Sequence, residues 1–564
     1  MAQEYVSLYR QTLAERQQRY DAAIASGQYT PFLYPWDTLP ALYLLFGIAV
    51  APRFRPGLAK AVRYGCFLLV VLHFAYIGSQ HRTLSFASGY MMGISGAWAV
   101  IMSAALLVFN DVAKDFTRIE TRPIEPAGDA SHPNGVVAVS GSDFASPIDL
   151  TKRKVPAVFT SKDKKQLGSQ GGEQPATRPY KLVWQGYPYD SDWLHIIDWA
   201  ADLITNFRGV NWKHRIQTAG EVDAPISPNH GNQISSAREE AVSGPPAVPE
   251  QTLRSLQYRT LQNFITTYLV LDLLKTTMMT DPYFLGLEPL DSPTQWPWLF
   301  RLNQHVPVAT SLARLLTSMV AVITALTFVF GLSPLFFAVI LPCFMDVSSI
   351  TKSPLLEPWM YPPQWYPLGR TVLQSGLAGF WGKFWHQMFR FGISEPSRVI
   401  IEGLDLNQRG NAARATQVLI GFLLSGLIHA AGSYTSFSLK PSHPISGPLV
   451  FFFSQGVGVL LQQFLAKILR ICIPQTKSLP PLARQLAKLV FVVLYLYFTG
   501  PLLADDFARC GVWLFEPFPI SPLRGLGFGP GGKDEGWFAW YQEGSKWVGW
   551  WQGDHWWQSG LAIY

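Results

Sequence analysis

Charged residues are scarce in this chain of 564 amino acids. Only 15% of the residues are Asp, Glu, Lys or Arg, whereas 48% are hydrophobic. Soluble proteins carry about 25% charged residues, so the composition excludes an ordinary soluble protein and predicts a polytopic membrane protein. Aromatic residues make up 14% of the chain, and its 20 tryptophans are typical of side chains that anchor at a membrane–water interface.

Cysteine is also rare, and the residues of this type are scattered: Cys66, Cys343, Cys472 and Cys510. None forms a CxxC pair or lies at metal-ligand spacing from a histidine, so the sequence predicts no disulfide framework and no metal site. The net charge of +7 could indicate nucleic-acid binding. Because the cations flank apolar runs and form no single block, we assign them to membrane topology and expect no nucleic-acid partner.

Long apolar runs dominate the rest of the sequence. They cover residues 32–51, 64–79, 86–109, 261–280, 308–330, 416–434, 447–469 and 486–503, with a shorter piece at 334–344 that is expected only to dip into the bilayer. The sequence therefore predicts an all-α, polytopic integral membrane protein. We expect about eight or nine transmembrane helices, together with re-entrant and interfacial helices.

Composition divides the chain into four parts. Residues 1–110 form an N-terminal region with three transmembrane helices, 111–260 a cytosolic loop, 261–504 a membrane core and 505–564 a Trp-rich tail. Within the loop, residues 120–178 and 217–250 are rich in Ser, Gly, Pro and charge, which predicts two disordered inserts. Between them, residues 191–215 repeat apolar side chains at helical spacing and indicate an amphipathic helix lying on the membrane.

The distribution of cations predicts the topology. Arg53, Arg55, Lys60 and Arg63 crowd the first loop without an acidic neighbour, so we expect this loop in the cytosol and the N-terminus in the lumen. The large loop at 111–260 then faces the cytosol. Counting the membrane crossings from that loop onward, with the piece at 334–344 not crossing, we expect residues 345–415 to be accessible from the cytosol as well.

The segment FWGKFWHQMFR, residues 380–390, combines cations with tryptophans. On a helix, four polar side chains would share one face: Lys383, His386, Gln387 and Arg390. Trp381 and Trp385 would lie beside them. A cationic, hydrogen-bonding edge next to indole rings suits an anionic, nucleotide-bearing ligand. The alternative is an interfacial helix that these side chains merely anchor.

The segment GFLLSGLIHAAG, residues 421–432, has one ionisable side chain, His429, inside a predicted membrane span. An ionisable group is costly in a bilayer, which favours a function for it. Ser425 lies one helical turn earlier and could orient the ring. Gly421, Ser425 and Gly432 leave a face of small residues, which lets helices approach closely or leaves room for a ligand. The alternative is a histidine that only joins packed helices.

Three segments in order, NFRGVNW (206–212), FWGKFWHQ (380–387) and FLLSGLIHAAG (422–432), resemble motifs of the membrane-bound O-acyltransferase superfamily. The match is to its wax-synthase-like branch of fungal secondary metabolism, and it covers residues 184–503 without the inserts and the tail. The resemblance implies that His429 is the membrane-embedded catalytic histidine and that His386 is the second polar position of the site.

The same resemblance implies the substrates and the location. Acyl-CoA, acetyl-CoA in the favoured case, is the expected co-substrate, and no cofactor is expected to be bound permanently. The expected partners are a hydrophobic alcohol acceptor and the lipid bilayer. We expect a multi-pass location in the endoplasmic reticulum membrane.

Acyl transfer to an alcohol requires removal of the hydroxyl proton as the oxygen attacks the thioester. A buried, neutral imidazole can accept this proton, so we expect His429 to act as general base. His386 would donate a hydrogen bond to the developing oxyanion or orient the acyl donor. Since a thiolate leaves readily and no GxSxG motif is present, we expect no acyl-enzyme. Four side chains are expected to bind acyl-CoA: Lys383, Trp385, Gln387 and Arg390.

Other functions stay open at this point. The favoured acceptor is a terpenoid, polyketide or alkaloid hydroxyl, but a wax synthase that acylates long-chain alcohols would use the same residues. A transporter could also hold a buried histidine, although it should show repeated halves or paired broken helices, which we do not find. A membrane scaffold would tolerate loss of His429. The Trp-rich tail is expected to pack at the lumenal interface, with a lid over the acceptor pocket as the alternative.

Overall fold

The described part of the chain is mostly α-helical, as the sequence predicted. A computed structural model describes residues 2–123, 180–220, 222, 226–227, 253–294, 296–529, 531–532, 536–540 and 547–564. Most of the two predicted disordered inserts therefore lies outside the described residues. Of the described remainder, residues 120–123 and Ile226–Ser227 belong to β-strands and Gln217–Ala219 forms a 3-10 turn.

The longer helices are numbered here in chain order. They are α1 (Ala2–Ala25), α2 (Leu39–Ala49), α3 (Pro56–Gln80), α4 (Tyr90–Ser103), α5 (Trp193–Thr205), α6 (Leu253–Met278), α7 (Pro297–His305), α8 (Ala309–Pro334), α9 (Leu368–Ser375), α10 (Arg390–Gly403), α11 (Asn411–Thr435), α12 (Val450–Cys472) and α13 (Pro481–Arg509). Shorter helical turns lie at Ser85–Ser88, Val112–Asp115, Leu377–Gly379 and Pro522–Gly525.

Six helical stretches of the described residues are long and apolar enough to cross a membrane. They are Pro56–Gln80, Tyr90–Val108, Ala309–Cys343, Asn411–Thr435, Ile445–Cys472 and Pro481–Arg509. The protein is thus a multi-pass membrane protein of the all-α class, and its described residues contain six candidate spans where eight or nine were expected.

Two of the predicted spans do not have the required length or composition. The run at 32–51 forms a strand, β1 (Phe32–Tyr34), and then α2, which has 11 residues. At about 1.5 Å per residue, α2 reaches roughly half the thickness of a hydrocarbon core. Helix α6 is long enough, but it carries four charged residues: Arg254, Arg259, Asp272 and Lys275.

The apolar piece at 334–344 is not a separate dip into the bilayer. It continues α8 through a π-helical stretch, Leu335–Ile340, and a 3-10 turn, Leu341–Cys343, so that one helical stretch of 35 residues runs from Ala309 to Cys343. Such a helix is about 50 Å long, which exceeds the hydrocarbon core of about 30 Å. One end of α8 must therefore project beyond the bilayer core.

Several loops meet at one end of the helix bundle, named here the loop end. Arg53 donates to the carbonyl of Tyr189 at 2.8 Å, Asn110 donates to Glu395 at 2.9 Å, and the amide of Thr121 donates to the carbonyl of Lys352 at 2.9 Å. The segments that the sequence placed together on one membrane face are thus in contact. Their assignment to the cytosol stays a prediction.

A small sheet at the loop end contains β2 (Arg118–Pro123), β3 (Tyr180–Gln185) and β4 (Ile226–Ser227). Strands β2 and β3 are antiparallel, with Arg118 opposite Gln185, and β4 runs parallel to β3. Helix α5 packs beside this sheet and ends at Thr205, well before the predicted end at Arg215. Its apolar residues Ile196, Trp199, Ala200 and Leu203 are buried in a core shared with α2 and α4, so protein and not membrane covers this face.

The tail closes the opposite end of the bundle, named here the tail end. Strands β5 (Val548–Trp551) and β6 (Gly560–Ile563) pair with β1 in the order β1–β6–β5, all antiparallel. The tail also contacts two of the four charged side chains of α6. Lys275 donates to the carbonyl of Trp513 at 2.7 Å, and Asp272 accepts from the amide of Leu523 at 2.9 Å.

Candidate active site

Helix α11 and one side chain of α12 fix the ring of His429. Its Nδ1 lies 2.8 Å from the backbone carbonyl of Ser425. Since a carbonyl only accepts hydrogen bonds, Nδ1 carries the proton and Nε2 keeps its lone pair. No described group forms a hydrogen bond with Nε2. The ring stacks on Phe452 with 4.2 Å between centroids and 30° between planes. The arrangement leaves one basic nitrogen available.

Ser425 contacts the His429 ring through its backbone carbonyl and not through the side-chain hydroxyl that the sequence suggested. The bond to His429 uses the main-chain carbonyl, which any residue at position 425 would supply. The small-residue face of α11 serves helix packing at Gly432, where an added Cβ would lie 2.8 Å from a ring carbon of Tyr90 on α4. At Gly421, an added Cβ would lie 3.5 Å from a side-chain carbon of Ile393 on α10. Neighbouring helices therefore fill this face at both positions.

The segment 380–390 is not one continuous helix, so the prediction that four polar side chains share a helix face is wrong. A π-helical stretch, Phe380–Phe384, ends at Trp385, whose backbone is extended, and α10 begins only at Arg390. The Nε2 of Gln387 donates to the carbonyls of Trp381 (2.9 Å) and Trp385 (2.7 Å). Arg390 donates to Oε1 of Gln387 at 2.9 Å. These two side chains hold the turn, whereas Lys383 is exposed.

The turn places His386 inside a box of aromatic rings. The ring centroids of Phe330, Trp365, Trp385 and Phe389 lie 5.5–6.0 Å from that of the imidazole. Burial, followed by the proximity of His429 and Arg208, lowers the pKa of His386 to about 3. The ring is therefore neutral near pH 7. Its Nδ1 is buried and has no hydrogen-bond partner among the described residues. Such an unpaired buried atom is a candidate contact for a ligand.

A row of aromatic side chains joins the two histidines. The centroid distance is 5.5 Å between His386 and Trp385, 5.4 Å between Trp385 and Trp381, and 6.0 Å between Trp381 and Phe452, which stacks on His429. Trp381 is fixed in turn, because its Nε1 donates to the buried Gln455 at 3.3 Å. The structure thus brings together two histidines that are far apart in sequence, along one aromatic wall.

Sequence reasoning did not single out Trp365, which forms one side of the box around His386. The indole Nε1 donates to Thr327 of α8 at 2.8 Å, and the ring also packs on Trp385. Its signal was present in the segment YPPQWYP (361–367), whose prolines and aromatic residues directly precede α9.

Among the described residues, no three His, Cys, Asp or Glu side chains are grouped so that they could hold a metal ion.

The model of the Membrane bound O-acyl transferase family matches residues 363–454, which contain both histidines. The acetyltransferase eriL of Hericium erinaceus is 32% identical over 151 residues, which are 27% of this chain and 37% of that protein. The acetyltransferase spyB of Aspergillus fumigatus is 33% identical over 103 residues, which are 18% of this chain and 17% of that protein.

A third relative is named for a different acyl group. The O-Mevalon transferase yanI of Aspergillus niger is 33% identical over 103 residues, which are 17% of this chain and 23% of that protein. The alignments thus span less than half the length of these relatives. No solved structure matches the chain. The segment that holds the aromatic wall and its two histidines is thus the part of the chain that matches the membrane-bound O-acyltransferase family and its acetyltransferase and O-Mevalon transferase relatives.

Proposed function

We propose that this protein is an O-acyltransferase that moves an acyl group from acyl-CoA to a hydroxyl of a hydrophobic secondary metabolite. The observation that carries the proposal is the joint placement of His386 and His429 on one aromatic wall, within the family-matched segment. The names of the relatives, acetyltransferase and O-Mevalon transferase, support acetyl as the first donor group to test and mevalonyl as the second. They favour either group over the long-chain donor of a wax synthase.

His429 acts as the general base in this reaction. The alcohol oxygen attacks the thioester carbon while its proton passes to Nε2 of His429. The bond from Nδ1 to the carbonyl of Ser425 stabilises the imidazolium that forms, since both ring nitrogens are then donors. The carbon–sulfur bond breaks, the CoA thiolate leaves, and the proton held by His429 returns to solvent or to the thiolate. No bond between enzyme and acyl group is needed.

His386 contributes a hydrogen bond to the thioester oxygen. Because burial keeps this ring neutral, one of its nitrogens can donate without the cost of a buried charge. Such a donor gains strength as negative charge develops on the oxygen, particularly in an apolar box that excludes water. The unpaired Nδ1 supports this role.

The acyl donor is proposed to lie along the turn at 381–390. Lys383 is an exposed cation of this turn and is suited to a phosphate of coenzyme A. Trp385 offers an aromatic face for the adenine or pantetheine part. Gln387 and Arg390 contribute by holding the turn, and Arg390 is exposed enough to reach a second phosphate.

The test is an acyl-transfer assay on the full chain in microsomes. Labelled acetyl-CoA, mevalonyl-CoA and palmitoyl-CoA are each offered with fractions of a hydrophobic metabolite extract, and ester products are identified by mass spectrometry. His429→Gln and His386→Gln should abolish product formation. His305→Gln, at an exposed histidine of α7, is the matched control and should retain it. Equal product from well-folded His429→Gln and wild-type protein would reject the proposal.

A further inference from the structure

Arg208, in the NFRGVNW motif, holds a segment that packs on the candidate active site. Its Nη1 donates to the carbonyl of Pro362 at 3.1 Å, and its Nη2 donates to the carbonyl of Pro363 at 3.0 Å. The flat guanidinium can hold two successive carbonyls at once, which a lysine ammonium cannot do with the same geometry. Residues 361–367, named here the proline-rich segment, are thereby fixed at their backbone.

Two further contacts attach the proline-rich segment to the same loop. The hydroxyl of Tyr366 donates to the carbonyl of Thr218 at 2.8 Å. Val210 and Ile216 form a small hydrophobic cluster with Met360, against which Tyr361 packs. The loop and the segment therefore form one packed unit.

The other residues of the motif give the loop its shape. Gly209 has a φ of +58°, and an added Cβ there would lie 2.9 Å from the ring of His214. Asp202, near the end of α5, accepts from Nδ2 of Asn211 at 3.0 Å and from Nε1 of Trp212 at 3.1 Å. Gly209 and Trp212 thus shape the loop, whereas Arg208 is the side chain of the motif that donates hydrogen bonds to the proline-rich segment among the described residues.

The proline-rich segment in turn carries Trp365 to His386. The two rings meet edge to face, with 6.0 Å between centroids and 87° between planes. Trp365 also packs on Phe384 at 5.6 Å. A shift of this indole would therefore change the box around the imidazole. The charge of Arg208 acts on the same ring, since it contributes to the lowered pKa of His386 after burial and the charge of His429.

We infer that Arg208 is a positioning residue: through the carbonyls of Pro362 and Pro363 it sets the place of Trp365, and thereby the surroundings of His386. The kinetic part of this inference rests on the proposed function, whereas the structural part does not. A role of Arg208 in folding alone is the competing explanation.

Hydrogen–deuterium exchange on the purified full chain tests the structural part. In Arg208→Gln, the amides of residues 364–366 and 385–389 should exchange about tenfold faster, because the bonds that fix the segment are lost. Lys213→Gln is the matched control, since it removes an exposed cation of the same loop and should leave these amides unchanged. Equal exchange in Arg208→Gln and wild-type protein would overturn the inference.

Acyl-transfer kinetics test the kinetic part of the inference. Per folded molecule, Arg208→Gln should lower kcat by about tenfold to a hundredfold. Trp365→Leu should do the same, and the double variant should be no slower than the slower single variant, because both act through one contact. Arg208→Lys should restore only part of kcat.

The pH profile separates positioning from a folding defect. Loss of the guanidinium charge raises the pKa of His386, so the part of the acid limb of kcat that reports protonation of His386 should move to higher pH in Arg208→Gln. An active wild type with unchanged kcat and pH profile in Arg208→Gln would overturn the inference and leave the role of His429 intact. A wild type without any acyl transfer would instead reject the proposed function, and the exchange measurement would still decide the role of Arg208.

Discussion

The imidazole of His429 stacks on the ring of Phe452, so a side chain of α12 determines the orientation of a histidine carried by α11. An aromatic pair of this kind contributes about 0.5–1.5 kcal/mol beyond its buried area. Phe452→Leu should therefore lower kcat by up to about tenfold, the factor that corresponds to such an energy. Phe452→Tyr keeps the ring and should retain most activity. Steady-state kinetics of the two variants would show whether the stack matters, and equal kcat in Phe452→Leu and wild type would contradict it.

Ser425→Ala should keep its activity within about twofold of wild type, because the bond to His429 comes from the backbone carbonyl and survives the loss of a hydroxyl. The measurement is kcat/KM for the acyl donor and the acceptor. A loss of a hundredfold would show that the hydroxyl itself takes part, which the geometry does not support.

His214 should make the fold sensitive to acid. Both ring nitrogens are buried without hydrogen-bond partners among the described residues, and burial lowers the pKa from 6.5 to about 3. Below pH 6.5 His214 is protonated in the unfolded chain, whereas in the folded chain it stays neutral down to about pH 3. The contribution of His214 to the free energy of unfolding is thus fully present above pH 6.5. It falls as the pH decreases, by at most about 1.4 kcal/mol per pH unit.

His214→Phe should remove this sensitivity. Phe116, Trp212 and Phe391 surround the ring, so a phenyl group fits the same aromatic site without an unpaired nitrogen. Replacement should raise the melting temperature at pH 5.5 more than at pH 7.5, as measured by differential scanning fluorimetry. His305→Phe, at an exposed site, is the control. A uniform change at both pH values would argue against a buried neutral imidazole.

Glu516→Gln should weaken the attachment of the tail. The Glu516 carboxylate accepts from both terminal nitrogens of Arg524, at 3.0 and 2.8 Å, and from the hydroxyl of Tyr9 at 2.6 Å. All three side chains are buried. Removal of one partner of a buried ion pair costs about 3–5 kcal/mol, so limited proteolysis should cut the variant in the tail at lower protease concentrations than wild type. Unchanged cleavage would contradict this account.

The sequence was most informative where a residue type is energetically unfavourable in its predicted environment, as an ionisable side chain is in a membrane span. A histidine in a membrane-spanning stretch stands out, and the structure shows Nδ1 of His429 bonded to the carbonyl of Ser425, whereas its role as general base stays a prediction. The turn around His386 could not be predicted, because helical periodicity assigns one face to residues 383–390, and the break depends on hydrogen bonds from Gln387 to two carbonyls. Likewise, α5 was correctly predicted as amphipathic, yet periodicity cannot say whether lipid or protein covers its apolar face. The short strands β1 and β6 also escaped prediction, since their pairing joins residues from opposite ends of the chain.

That pairing has a consequence for biosynthesis. Phe32 lies opposite Ile563, and the amide of Ser85 donates to the carbonyl of Tyr564 at 3.1 Å. The ribosome synthesises β1 long before β6. The edge of β1 that pairs with β6 therefore stays unpaired while nearly every helix enters the membrane. The sheet at the tail end can therefore form only after residues 560–563 have been synthesised, and until then the edge of β1 stays unpaired.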